Sequence, residues 1–260
     1  MVLQNDEFMA AQRAGWSWNV LDYDPTKALE HKSQGTITFK EGKTALGFLN
    51  NRKKTLPYLQ KDPRMCITLP TWLKLLDEKP AIVFTYRHPL EVALSLKHRE
   101  EGFTMEHGLR LWIAYNMRAL QYSRGLCRVY STNEAVFNNP AREVQRIKDE
   151  LTTKCNVIPP PKVEIPMEVV NKFVDPKLQH NKKGTEADKD KQKVLKDFGK
   201  GCVALDFKSE YKDDSTNRRA EAGMYLMAMQ AFCDLENGRA YEEDYEWPDL
   251  VHWQRPARIN

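Results

Sequence analysis

The clearest hydrophobic pattern is a continuous apolar run over residues 81–86, Ala-Ile-Val-Phe-Thr-Tyr. Such a run, rich in β-branched and aromatic residues and without polar alternation, predicts a buried strand of a parallel sheet. Arg87 and His88 follow as a turn, and Pro89 suits the first turn of the helix that the apolar positions after Leu90 predict. The pattern therefore indicates a strand, a turn and a helix centred on Arg87.

Weaker patterns surround this unit. We predict a strand-like run at 65–69, a strand at 127–130, and helices at 2–15, 72–76, 106–123, 140–151 and 220–235. The alternation of helices and strands predicts an α/β fold, a three-layer sandwich with a mainly parallel sheet. Pro159-Pro160-Pro161 predicts a stiff linker, and residues 179–196 are dense in Lys and Asp. We divide the chain into a domain over 1–178 and a C-terminal helical extension over 179–260.

Composition sets limits on partners. The 260 residues are 41% hydrophobic and 29% charged, which is typical of a globular chain. The net charge is +4, from 40 basic and 36 acidic residues. This mild excess suits an anionic ligand but is far below that of a dedicated nucleic-acid binder, so we expect no nucleic-acid partner. No apolar stretch reaches membrane-spanning length, so we expect no membrane span.

The cysteines bear on metal binding and location. Five are dispersed along the chain without a Cys-x-x-Cys pair or zinc-ligand spacing, so we expect no metal: Cys66, Cys127, Cys155, Cys202 and Cys233. Their odd number and scatter predict buried or free thiols in a reducing compartment, which makes the cytoplasm the default location. A lumenal protein with one disulfide is the alternative. The first residues have no signal-peptide core.

Arg87 and Ser95 are the first candidates for chemistry. An arginine at the carboxyl end of a buried strand lies where open α/β sheets bind ligands. Ser95 comes eight residues later, about two turns into the following helix. Together with the helix N terminus, the two side chains can hold one phosphate. The alternative from the residues alone is an ion pair between Arg87 and Glu91, with Ser95 as a packing residue.

Residues 86–96, Tyr-Arg-His-Pro-Leu-Glu-Val-Ala-Leu-Ser-Leu, resemble the 3′-phosphate-binding motif of sulfotransferases. The resemblance implies that Arg87 and Ser95 bind the 3′-phosphate of the sulfonate donor, 3′-phosphoadenosine 5′-phosphosulfate (PAPS). It also implies a fold like that of the P-loop nucleotide hydrolases.

Two further segments resemble the same family. Lys61-Asp62-Pro63-Arg64 is similar to an element of tyrosylprotein sulfotransferases and bacterial sulfotransferase-like proteins, which implies that Lys61 stabilises the leaving group. The alternative for Lys61 is a solvated lysine at a strand edge. The segment at 128–130 resembles a strand whose tyrosine contacts the donor, which implies that Tyr130 does so here. The alternative for Tyr130 is a core residue with its hydroxyl at the rim.

One family feature is missing from the sequence. Sulfotransferases open with a strand and an Arg/Lys-Ser-Gly-Thr loop that holds the 5′-phosphosulfate, and no such loop occurs here. Gly42-Lys43-Thr44 is no Walker A loop, because the first glycine of that motif would fall on Ile37. We therefore expect a domain that is incomplete at its N terminus. If the natural N terminus is missing, the Golgi lumen becomes the alternative location.

The leading hypothesis is an enzyme that transfers a sulfonate group from PAPS to an acceptor hydroxyl by in-line displacement without a metal. The acceptor is a carbohydrate or a protein tyrosine, and the sequence does not decide between them. The alternative is a catalytically inactive remnant that acts as a nucleotide-binding or interaction module. An incomplete gene model of an active enzyme makes the same prediction for this chain.

Overall fold

The computed structural model describes residues 2–27, 59–76, 78–157, 166–173 and 216–250, together with 189, 192 and 193. These residues form helices and strands in the order α1 (Val2–Ala11), α2 (Met65–Leu73), β1 (Ile82–Tyr86), α3 (Pro89–Arg99), α4 (Met105–Tyr122), β2 (Arg128–Thr132), α5 (Asn133–Asn138), α6 (Pro140–Thr153), α7 (Met167–Phe173) and α8 (Thr216–Glu236). Short 3-10 turns lie at Val20–Asp22 and Arg239–Tyr241. The predicted linker at 159–161 and most of the segment 179–196 lie outside the described residues.

The two strands pair in parallel, with Ile82 opposite Arg128 and Tyr86 opposite Thr132. Helices α3 and α4 lie between them in the chain, as a parallel connection requires. The predicted α/β class is therefore confirmed. Since the register aligns the last residues of both strands, the segments that follow β1 and β2 leave the sheet at the same edge.

Local sequence explains why α3 begins directly after β1. His88 is its N-cap, and its Nδ1 accepts a hydrogen bond from Leu90 N at 3.3 Å. Pro89 occupies the first helical position, where a missing N–H costs nothing. The last turn carries Lys97, His98 and Arg99, and positive charge is favourable at a helix C terminus. The predicted strand, turn and helix are thus confirmed.

Helix α4 lies at the centre of the core. Helices α2, α3 and α8 pack against it, and their buried apolar side chains belong to one cluster. The fully buried members include Ile67, Leu94, Leu109, Ile113 and Met224. Helix α8, which belongs to the predicted C-terminal extension, therefore contributes to the same core as the helix that carries Ser95.

The strand-like prediction for residues 65–69 is wrong, because Met65–Leu73 is one helix that includes Pro70. Asp62 lies in the turn that leads into this helix, and its carboxylate accepts a hydrogen bond from Arg64 N at 2.8 Å. Asn5 of α1 fixes it from the side, accepting from Trp72 Nε1 at 2.8 Å. A short, fully apolar run does not distinguish a buried helix from a buried strand. Tertiary contacts decide the outcome here.

The prediction of free thiols is wrong for most of the cysteines in the described residues. Cys127 and Cys155 form a disulfide with a Cα–Cα distance of 5.4 Å, and Cys233 is disulfide-bonded as well. Cys66 is a free thiol. The Cys127–Cys155 bond joins the segment before β2 to the segment after α6. Sequence separation could not reveal it, because the pairing depends on how α6 packs against β2.

Helix α1 ends at Ala11, four residues before the predicted end at Gly15. In the described part of the chain, no helix combines the length and the apolar character needed to cross a membrane.

Candidate functional site

Arg87 lies immediately after β1, at the carboxyl edge of the parallel pair. Its main-chain oxygen accepts a hydrogen bond from Trp112 Nε1 at 2.7 Å, and Trp112 is buried in α4. Its side-chain Nε donates to Glu91 Oε2 at 2.7 Å. The ion pair considered as the alternative in the sequence is therefore present. Both the backbone and the side chain of Arg87 are held in place.

The pair with Glu91 uses only one edge of the guanidinium. Within the described residues, Nη1 and Nη2 of Arg87 make no hydrogen bond or ion pair. The side chain is 31% exposed, so these two nitrogens can be reached from solvent. They form a fork of donors that fits a phosphate or carboxylate. The arginine therefore keeps the donors that an anionic ligand needs.

Ser95 lies on the same side of α3 as this ion pair. It is four residues after Glu91, and residues at that spacing are neighbours on a helix surface. Ser95 is partly buried, and its hydroxyl makes no hydrogen bond within the described residues. Glu91 and Ser95 thus lie on one face of α3, and Arg87, just before the helix, is joined to that face through Glu91.

Tyr130 lies in β2 opposite Phe84 of β1, two residues before the end of the strand. Its ring stacks on Tyr241 with a centroid distance of 3.9 Å, and the Arg128 guanidinium lies 5.9 Å from its ring centre. Burial is the main cause that raises the pKa of Tyr130, so its phenol is neutral at physiological pH. Tyr130 is therefore part of an aromatic stack at the sheet, and its contact with a donor stays a prediction.

The C-terminal part of the chain closes the same face of the sheet. Tyr86 donates to Glu236 Oε1 of α8 at 2.6 Å, and Phe232 packs near the His88 ring at a centroid distance of 4.9 Å. Burial is the main cause that raises the pKa of Tyr86, and it raises that of Tyr241 to about 12. The sequence offered no signal for these contacts, because Tyr86 and Glu236 are 150 residues apart.

Lys61 is exposed in the segment before α2. Within the described residues, no hydrogen bond or ion pair links it to Arg87, Ser95 or Tyr130. The following Asp62 is buried in the turn that precedes α2. The role of Lys61 therefore stays a sequence-based prediction, whereas Arg87 is joined through Glu91 to the helix face that carries Ser95.

The arrangement after β1 is suited to an anion. The N terminus of α3 carries a partial positive charge, and the free edge of the Arg87 guanidinium adds hydrogen-bond donors, although Glu91 offsets its charge. In the described residues, no group of His, Cys, Asp and Glu side chains could hold a metal ion. A comparison of the chain with protein-family models, with curated proteins and with solved structures finds no match.

Proposed function

We propose that this chain is a sulfotransferase-like protein that binds PAPS through its 3′-phosphate and transfers the sulfonate group to an acceptor hydroxyl. Arg87 binds the 3′-phosphate through Nη1 and Nη2, and Ser95 donates its hydroxyl to the same phosphate. Tyr130 contributes to the donor site at the neighbouring strand. Lys61 stabilises the charge on the leaving group. The acceptor is a carbohydrate or a protein tyrosine.

The observation that carries the proposal is the free edge of the Arg87 guanidinium at the carboxyl end of β1. Open α/β sheets bind nucleotides at this edge, outside the ends of their strands. The hydroxyl of Ser95, on the same face of α3, supplies a second donor without a competing partner in the described residues. The residue order Arg87 to Ser95 is that of the sulfotransferase motif, and the observed strand, turn and helix have the form that the motif requires.

The reaction in this proposal is an in-line displacement at sulfur. A new S–O bond forms to the acceptor oxygen, while the S–O bond to the 5′-phosphate of the donor breaks. The electron pair of the broken bond stays on that phosphate, so negative charge develops where Lys61 is assigned. The acceptor proton passes to a base or to solvent. The products are a sulfate ester and adenosine 3′,5′-bisphosphate.

We also propose that the fold is the three-layer sandwich that the sequence predicts. The parallel pair of β1 and β2, with α6 packed against β2 and α8 joined to β1 through Tyr86 and Glu236, is compatible with part of a three-layer sandwich. We assign it to the P-loop nucleotide hydrolase-like type because the sulfotransferase motif belongs to that fold. A three-layer arrangement predicts that further strands extend this sheet.

Calorimetric titration with adenosine 3′,5′-bisphosphate tests the nucleotide site. The wild-type chain should bind, and Arg87→Ala should weaken binding by about 1.5 kcal/mol or more, the low end for a hydrogen bond to a charged group. Arg110→Ala is the matched control, since Arg110 forms the same kind of i,i+4 pair with Glu106 away from β1. Absence of binding by the wild type, or equal losses in both variants, would contradict the proposal.

A second candidate function is a nucleotide-binding module without transferase activity. It is favoured by the sequence, which contains the residues for the 3′-phosphate but no Ser-Gly-Thr loop for the 5′-phosphosulfate. Incubation with donor carrying a radiolabelled sulfonate, together with carbohydrate and tyrosine-peptide acceptors, distinguishes the two functions. Labelled acceptor supports the enzyme. Nucleotide binding without labelled acceptor supports the module.

A further inference from the structure

We infer that Glu91 is a positioning residue that orients the Arg87 guanidinium toward the 3′-phosphate of the nucleotide. This inference rests on the proposed function and deepens it. Glu91 is negatively charged and repels a phosphate, yet it favours binding because it orients Arg87.

The backbone of Arg87 is fixed independently of Glu91. Trp112 Nε1 holds the main-chain oxygen of Arg87 from the neighbouring helix α4. His88, the next residue, is the N-cap of α3, so the chain direction after β1 is set. What remains free is the side chain of Arg87, whose several rotatable bonds allow many rotamers. A contact that selects one rotamer of Arg87 therefore determines where the guanidinium points.

Glu91 supplies that contact through the edge that a phosphate does not need. The bond runs from Nε of Arg87 to Oε2 of Glu91 at 2.7 Å, and the side chain of Glu91 is 24% exposed. Because Nε bonds to Glu91, the fork of Nη1 and Nη2 is the edge of the guanidinium that is left for a phosphate. The carboxylate is itself anchored on the first turn of α3, so it moves with the helix that also carries Ser95.

The charge of Glu91 acts in two opposing directions. It repels an incoming phosphate, but it also holds the arginine in the orientation that binds phosphate, which lowers the entropy lost on binding. Preorganisation outweighs repulsion if the phosphate contacts the edge remote from Glu91. We therefore expect that loss of Glu91 weakens nucleotide binding rather than strengthening it.

The experiment compares two ligands on the full chain, adenosine 3′,5′-bisphosphate and adenosine 5′-phosphate, which lacks the 3′-phosphate. Glu91→Ala should weaken binding of the bisphosphate about tenfold, the size of one charge-assisted hydrogen bond, and leave the monophosphate within twofold. Glu91→Gln keeps an oxygen acceptor for Arg87 Nε, so it should restore most of the loss. Glu106→Ala removes the equivalent pair with Arg110 and should change neither affinity.

A purely structural role for Glu91 would lower both affinities together and would overturn the inference. So would tighter bisphosphate binding by Glu91→Ala, since repulsion would then dominate. In an Arg87→Ala background, where only the repulsion by Glu91 remains, Glu91→Ala should leave bisphosphate affinity unchanged or raise it slightly, and a further loss would also overturn the inference. If the wild type binds no bisphosphate, the proposed function fails and this inference fails with it. If the wild type binds the bisphosphate and the Glu91 variants bind it equally well, the proposed function stands and this inference alone fails.

Discussion

Gly108 of α4 faces the backbone of Ala93 in α3 so closely that a Cβ at position 108 would lie 2.7 Å from Ala93 Cα. Ala93 belongs to the helix that carries Glu91 and Ser95. The approach of these two helices also brings Trp112 within hydrogen-bonding distance of the Arg87 main chain. A glycine in the first turn of α4 therefore helps to determine the geometry of the candidate site.

Gly108→Ala should destabilise the chain by about 1–3 kcal/mol, because the added methyl group overpacks against backbone that cannot rotate away. The effect should appear although alanine is the better helix former. Gly223 of α8 is the matched control, since a Cβ there has no atom within 4 Å. Gly223→Ala should stabilise by up to about 1 kcal/mol. Thermal unfolding followed by circular dichroism measures both changes, and stabilisation by both variants would show that α3 and α4 are less closely packed.

The disulfide between Cys127 and Cys155 closes a loop with a sequence separation of 28 residues. Its loss in a Cys127→Ser, Cys155→Ser double variant should lower the free energy of unfolding by about 3–4 kcal/mol, because the unfolded chain regains the entropy of that loop. Denaturant unfolding of the oxidised wild type and of the variant gives the difference.

Peptide mapping without reductant checks the same bond directly. The peptides that contain Cys127 and Cys155 should be recovered as one linked species. Cys66 is partly exposed, but it should react only slowly with an alkylating reagent in the native protein, since burial raises the pKa of its thiol to about 12. Alkylation of Cys127 and Cys155 in the native, unreduced protein would contradict the assignment.

Local contacts were predictable from the sequence, and distant ones were not. The pair of Arg87 and Glu91 follows from their spacing of four residues at a helix start. The stack of Tyr130 on Tyr241 and the bond from Tyr86 to Glu236 join parts of the chain that no periodic pattern relates. These contacts arise only because α8 packs against α4.

The roles assigned to Lys61 and Arg87 can be separated without knowledge of the acceptor. If Lys61 lies at the 5′ end of the nucleotide, Lys61→Ala should weaken binding of adenosine 3′,5′-bisphosphate about tenfold and leave adenosine 3′-phosphate unchanged. Arg87→Ala should weaken the binding of both, because both carry the 3′-phosphate. Competition titrations against a fluorescent nucleotide measure the four affinities. An equal loss of affinity for both ligands in Lys61→Ala would remove Lys61 from the site.

His107 should make the stability of the fold depend on pH. The ring is 4% exposed and stacks on Trp18 with a centroid distance of 3.8 Å. Burial is the main cause that lowers the pKa of His107 to about 4, whereas an unfolded histidine titrates near its ordinary value of 6.5. Between these values the unfolded chain binds more protons than the folded chain. The contribution of His107 to stability is therefore complete above pH 6.5 and is lost as the pH falls toward 4.

A His107→Phe variant isolates this dependence, since phenylalanine can keep the ring stack but does not titrate. Between pH 7 and pH 4, the unfolding free energy of the wild type should fall by about 3 kcal/mol relative to that of the variant. Urea unfolding at intervals of half a pH unit gives the curve, and carboxylates that titrate in the same range affect both proteins alike. A constant difference across this range would mean that the folded protein accommodates the charged imidazolium. The packing of His107 between Trp18 and Phe103 would then be looser than the observed contacts indicate.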